Sequence, residues 1–115
     1  MAENTDRFTE SKAGTTAATS ATKAASTGHR HIVTAIKGFV DVDAIVTVES
    51  PAGTVLAEWK FDISNEGGAA ATTFPKFAYT GLAKVGATGE AVVGKVSAST
   101  GDCHVSIDGF TEEVY

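Results

Sequence analysis

A chain of 115 residues with 14 acidic and 9 basic side chains, net charge -5, has room for one domain. It carries no basic run that would serve as a nucleic-acid footprint, and no apolar stretch approaches the roughly 18 residues of a membrane span. The opening residues Met1 to Arg7 are polar, without the apolar h-region of a secretory signal, and the lone Cys103 has no partner for an internal disulfide, so synthesis in a reducing cytosol is expected.

Residues 1–12 are polar and charged, with Phe8 the one large apolar side chain after Met1. Ala13 to Gly28 is almost entirely Ala, Thr and Ser, interrupted by Gly14 and Lys23. Nothing here is bulky enough to build a core, and ordering such a segment is entropically unfavourable. Five threonines and the lack of an apolar stripe argue against a stable helix. Residues 1–28 therefore read as an extended N-terminal arm, and residues 29–115 as the folded body. Fully stretched, the arm would reach about 90 Å at ~3.3 Å per residue. It is expected either to pair with a neighbouring subunit or to pack as a first strand on its own sheet.

From His29 the pattern changes. His29 to Lys37 is rich in β-branched residues and predicts a strand, as does Ala44 to Glu49. Ser50-Pro51-Ala52-Gly53 is a turn. Thr54 to Phe61 then alternates, with Val55, Ala57, Trp59 and Phe61 on one face and Leu56, Glu58, Lys60 and Asp62 on the other, which predicts a hairpin with the preceding strand. Asn65 to Gly68 is a loop, a short strand is expected near Ala70–Phe74, and Pro75 to Gly81 reads as irregular. Gly86 to Gly89 punctuates again. Glu90 to Ser99 is a strand in which Gly94 predicts a bulge or a close backbone approach. Cys103 to Thr111 is the last. About six to eight short strands with regular turn signals define an all-β fold, a small antiparallel β-sandwich or jelly-roll-like barrel.

No constellation of catalytic residues emerges, so an enzyme is not expected, and neither is a cofactor, a metal or a small-molecule substrate. His29 and His31 share one face of their strand, but no third ligand has a matching spacing, so they read as solvent-facing. Cys103 and His104 are neighbours on a strand and point to opposite faces, which prevents a thiolate–imidazole pair; Cys103 reads as a small buried apolar residue. Asp41-Val42-Asp43 lacks the downstream residues of a calcium loop. Glu112 and Glu113 read as a charged edge or tail. Trp59 and Phe61 are expected in the core. Phe74, Phe77 and Tyr79 cluster around Pro75, where they either anchor a partner or pin a loop to the core.

Thr22-Lys23-Ala24-Ala25, Gly28 through Ile36, Gly53 through Trp59, the Phe74-Pro75 step, Gly89-Glu90-Ala91-Val92 and Ile107-Asp108-Gly109-Phe110-Thr111 together resemble small β-sandwich virion proteins encoded among tailed-phage structural genes. The resemblance runs from about residue 18 onward. It implies a viral structural protein, foremost a capsid decoration (cement) protein on the outer surface of a phage head, made in the host cytoplasm. The major capsid protein and copies of the chain itself, trimers included, would be its partners. A head–tail connector, a tail or fibre component, or a carbohydrate-binding module using Trp59 and Tyr79 are the alternatives. Candidate partner-binding residues are Phe8, Thr15, Thr16, Thr19, Thr22 and Lys23 in the arm, with Phe74, Phe77 and Tyr79 in the body.

Overall fold

A computed structural model describes residues 5–14, 19–40, 42–61, 76–97 and 103–114. Nine strands lie among them: β1 (Thr5–Gly14), β2 (Thr19–Lys23), β3 (His29–Phe39), β4 (Ala44–Glu49), β5 (Val55–Phe61), β6 (Lys76–Tyr79), β7 (Lys84–Val85), β8 (Val92–Val96) and β9 (Cys103–Glu113). They form two antiparallel sheets packed as a sandwich. The first runs β1-β9-β3-β6, with β7 also on β3, and the second runs β2-β8-β4-β5.

Long β3 and β9 pair along nearly their whole length and form the spine of the first sheet. Their inward side chains, among them Val33, Ile36, Val105 and Ile107, meet Val46, Val48, Val92 and Val96 from the second sheet. Strict alternation is broken in β3 because the register shifts between Val33 and Ala35. Thr34 is the extra residue of a bulge, and its hydroxyl donates to the Asp108 carbonyl at 3.2 Å. The inserted residue changes which parity faces inward, so both Val33 and Ile36 reach the core. The β4–β5 hairpin is present with its turn at Ser50–Thr54. A second shift between Val48 and Glu49 corrects the expected face of one residue: Val55 is 49% exposed rather than inward.

Gly94 is a close approach and not a bulge. Its strand pairs without interruption, and a methyl group on it would run into Ile107 and Ile36 of the facing sheet. Lys76–Tyr79, expected as irregular, is strand β6, and its hydrogen bonding to Ile36–Phe39 supplies the order that local sequence lacks. The short strand expected near Ala70–Phe74 lies outside the described residues.

Of the two places expected for residues 1–28, the described residues 5–14 and 19–23 take the one on the chain's own sheets. Residues 5–14 pair with β9 through ten consecutive positions, and residues 19–23 pair with β8, so both are edge strands of the body's own sheets. The small side chains that argued against order suit this place. Ala21 and Thr19 are buried, and a methyl group on Gly14 would collide with the Thr19 hydroxyl. Backbone pairing to a preformed sheet does what bulky side chains would otherwise have to do.

Candidate interaction site

β1 and β2 lie side by side at one flank of the sandwich, one at the end of each sheet. Phe8, Glu10 and Gly14 of β1 are half-buried, while Asp6 and Lys12 are exposed. The Phe8 ring is half-buried opposite Gly109, where a methyl group would contact it, so glycine makes the space. Phe8 meets the His31 ring edge-on, with centroids 5.7 Å apart, and the Lys23 ammonium sits 5.5 Å from the Phe8 centroid. A cleft of about 310 Å³ opens here, lined among others by Arg7, Phe8, Lys23, Ser26 and His29.

His31 is 1% exposed, which corrects the solvent-facing reading. Its Nε2 lies 2.8 Å from the Ala24 carbonyl, which can only accept, so Nε2 carries the proton. Nδ1 then accepts from the Thr111 hydroxyl at 2.6 Å. The ring thus fastens the segment after β2 to β9. His29 is half-buried, with Nδ1 2.9 Å from the Thr27 carbonyl. Glu112 is no loose tail either: it accepts from Arg30 Nε at 2.6 Å across the sheet.

Of the candidate partner-binding residues, the structure brings Phe8 and Lys23 together and leaves Thr22 exposed on the outer side of β2. Thr19 is buried and 3.2 Å from the Cys103 thiol, which is itself buried. Thr15, Thr16 and Phe74 lie outside the described residues. Phe77 and Tyr79 lie on β6 at the opposite flank. Phe77 is 4% exposed and packs edge-on against Phe61, so it pins its segment to the core and offers no exposed anchor. Tyr79 stacks on Trp59 with centroids 4.5 Å apart and planes 4° from parallel. These two rings occupy each other's faces and bridge the two sheets, which opposes an open sugar platform.

Sequence reasoning missed two features. On the outer face of the first sheet, Phe39 stacks on His104 at 5.9 Å beside Lys37, Lys76 and Ala78, around a cleft of about 360 Å³. The signal was the alternation of His104 with buried Cys103, but the bulge in β3 hid the matching parity of Phe39. The second feature is Glu49, 3% exposed. Its carboxylate accepts from the Gly53 amide at 2.8 Å, from the Thr47 hydroxyl at 2.9 Å and from Lys95 at 3.1 Å. Burial acts to raise its pKa; the Gly53 amide, Lys95 and Thr47 outweigh burial and hold it below the ordinary glutamate value. Ser50 completes this corner by donating to the Ala91 carbonyl at 2.7 Å and accepting from the Ala87 amide at 3.0 Å. Three donors on the carboxylate and two hydrogen bonds at Ser50 make this corner a clamp on the turn. Among the described residues, no group of three or more His, Cys, Asp or Glu is placed to hold a metal.

Fold and flank together define a small antiparallel β-sandwich with a long, polar edge strand. No protein-family model and no curated protein matches the chain. Among solved structures it is similar to a chain of the capsid asymmetric unit of cyanophage Pam1, at 20% identity over 96% of this chain and 86% of that one, TM-score 0.48. It is also similar to a family 6 carbohydrate-binding module (15% identity, 84% and 67% covered, TM-score 0.39). A third is a Bacillus endospore appendage that forms disulfide-linked pili (13% identity, 100% and 93% covered, TM-score 0.35). At these identities and scores none of the three carries an argument about function.

Proposed function

We propose that the chain is a non-enzymatic virion structural protein, a capsid decoration protein that binds the outer surface of a phage head and bridges its subunits. The observation that carries this reading is the exposed β1/β2 flank: ten residues of edge strand whose outward backbone groups face away from the sheet, backed by a second edge strand. A neighbouring subunit can add to such an edge through main-chain hydrogen bonds. Phe8, Thr22 and Lys23 at this flank are the proposed contacts, with the major capsid protein and further copies of the chain as partners. The motif resemblance from residue 18 onward supports the same reading. Net charge -5 keeps many closely spaced surface copies soluble.

The test is to mix the purified chain with phage heads that lack it and quantify what remains bound after sedimentation. A copy number that scales with the whole shell, together with heads that resist heat better, is the expected result. Binding confined to a single vertex would instead identify a head–tail connector, and no binding would refute a place on the head.

A further inference from the structure

We infer that β1 is the seam of a two-fold dimer, in which the first sheet of one copy continues into that of a second copy through antiparallel β1–β1 pairing centred on Thr9. This names a partner for the flank described above and so rests on reading that flank as an attachment site. β1 closes the first sheet and keeps an unbroken register with β9, so no bulge twists its free edge away. Asp6, Arg7, Thr9, Ser11, Lys12 and Ala13 are exposed along it. Asp6, Arg7, Glu10 and Lys12 make no ion pair among the described residues, whereas Glu49, Asp108 and Glu112 each hold one. Among the described residues, nothing in the chain answers the charges of β1.

Geometry and charge select the register. In an antiparallel edge only alternate residues point their N–H and C=O outward, so two copies related by a two-fold axis pair with a residue opposite itself at the centre. Centring on Arg7 or Glu10 sets like charges directly against each other, and centring on Phe8 sets Asp6 against Glu10. Centring on Ser11 matches Glu10 with Lys12 but pairs only residues 8–14. Centring on Thr9 pairs residues 5–13 and sets Asp6 of each copy against Lys12 of the other, twice. Opposite charges across a strand pair favour it and like charges oppose it, so the residues that guard this edge against promiscuous pairing also specify one register. Both outer faces of the sandwich stay open in the dimer.

The test uses the full chain in solution without capsids, so its failure is separable from failure to bind heads. Sedimentation equilibrium is expected to show a dimer. Lys12→Asp turns both matched pairs repulsive and should weaken association roughly tenfold, and adding Asp6→Lys should restore it. Thr9→Cys brings the two engineered thiols together at a Cα separation of about 4.5–5.5 Å, within disulfide range, and should cross-link under mild oxidation; Ser11→Cys, opposite Arg7, should not. A monomeric wild-type chain, a dimer indifferent to Lys12→Asp, or cross-linking through position 11 in place of position 9 would each overturn the inference. All of these substitutions fall at exposed positions, and circular dichroism checks that each variant folds.

Discussion

Replacing Glu49 by Gln tests whether the corner at the β4–β5 turn is held by charge. The amide keeps the size and one acceptor oxygen but loses the negative charge that three donors address: the Gly53 amide, the Thr47 hydroxyl and the Lys95 ammonium. A hydrogen bond to a charged group contributes about 1.5–3 kcal/mol against about 0.5–1.5 for a neutral one. Lys95 is 39% exposed at its side chain, and water takes over much of its solvation, so its share is small. The contacts to the Thr47 hydroxyl and the Gly53 amide, weakened by about 1 kcal/mol each, give an expected loss of about 2 kcal/mol at neutral pH. The folded-state pKa of Glu49 lies below its ordinary value of 4.5. Its contribution is therefore present above that value and is lost as pH falls through the lower folded-state one. Urea unfolding of wild type and Glu49→Gln at a series of pH values should show a gap of about 2 kcal/mol at pH ~7 that closes in acid, with unchanged m-values. A gap that persists unchanged in acid, or none at neutral pH, would refute a charge-based role.

Phe77→Ala should lower stability by about 3–5 kcal/mol, because it empties the space against Phe61; an unchanged melting temperature would return Phe77 to the surface. Gly94→Val should destabilise by more than about 1 kcal/mol in chemical denaturation despite the better strand propensity of valine, since its side chain meets Ile107 and Ile36. His31→Phe leaves the Ala24 carbonyl and the Thr111 hydroxyl without their partner and should cost about 2–3 kcal/mol, read by thermal unfolding; a neutral effect would mean that the ring serves only as packing. Deleting residues 1–25 removes β1, β2 and that carbonyl together, uncovering the edges of β8 and β9. Light scattering should show aggregation and melting should occur earlier, and a monodisperse fragment with unchanged melting would restore the picture of a dispensable arm.

The strands were legible wherever their order is local. Ala44–Glu49, the Ser50–Gly53 turn and the alternation ending at Phe61 carry their own period and punctuation, and the hairpin follows from them. Cys103 and His104 diverge because adjacent strand residues must. Reading failed where a residue's environment comes from elsewhere in the chain. Val55 changes faces because a single extra residue in its pairing reverses parity, and such a bulge is a property of two strands together. Lys76–Tyr79 is ordered by β3, not by its own propensity.

The candidate site divides in the same way. Its residue types were visible: a lone Phe8, a Lys23 and a tract of threonines and alanines. Whether its described residues pair with a neighbouring subunit or with the chain's own sheets was not decided, because poverty in bulky side chains says only that the segment does not order itself. What the amino-acid sequence determined was the all-β character and the local hairpin, since periodicity and turn chemistry act between near neighbours. What only the tertiary structure decided was which strands stand at the edges and which polar groups are buried. His31, Glu49 and Thr19 look soluble in the sequence and are enclosed by partners 80, 46 and 84 positions away, at Thr111, Lys95 and Cys103 respectively, contacts that exist only once both sheets have formed.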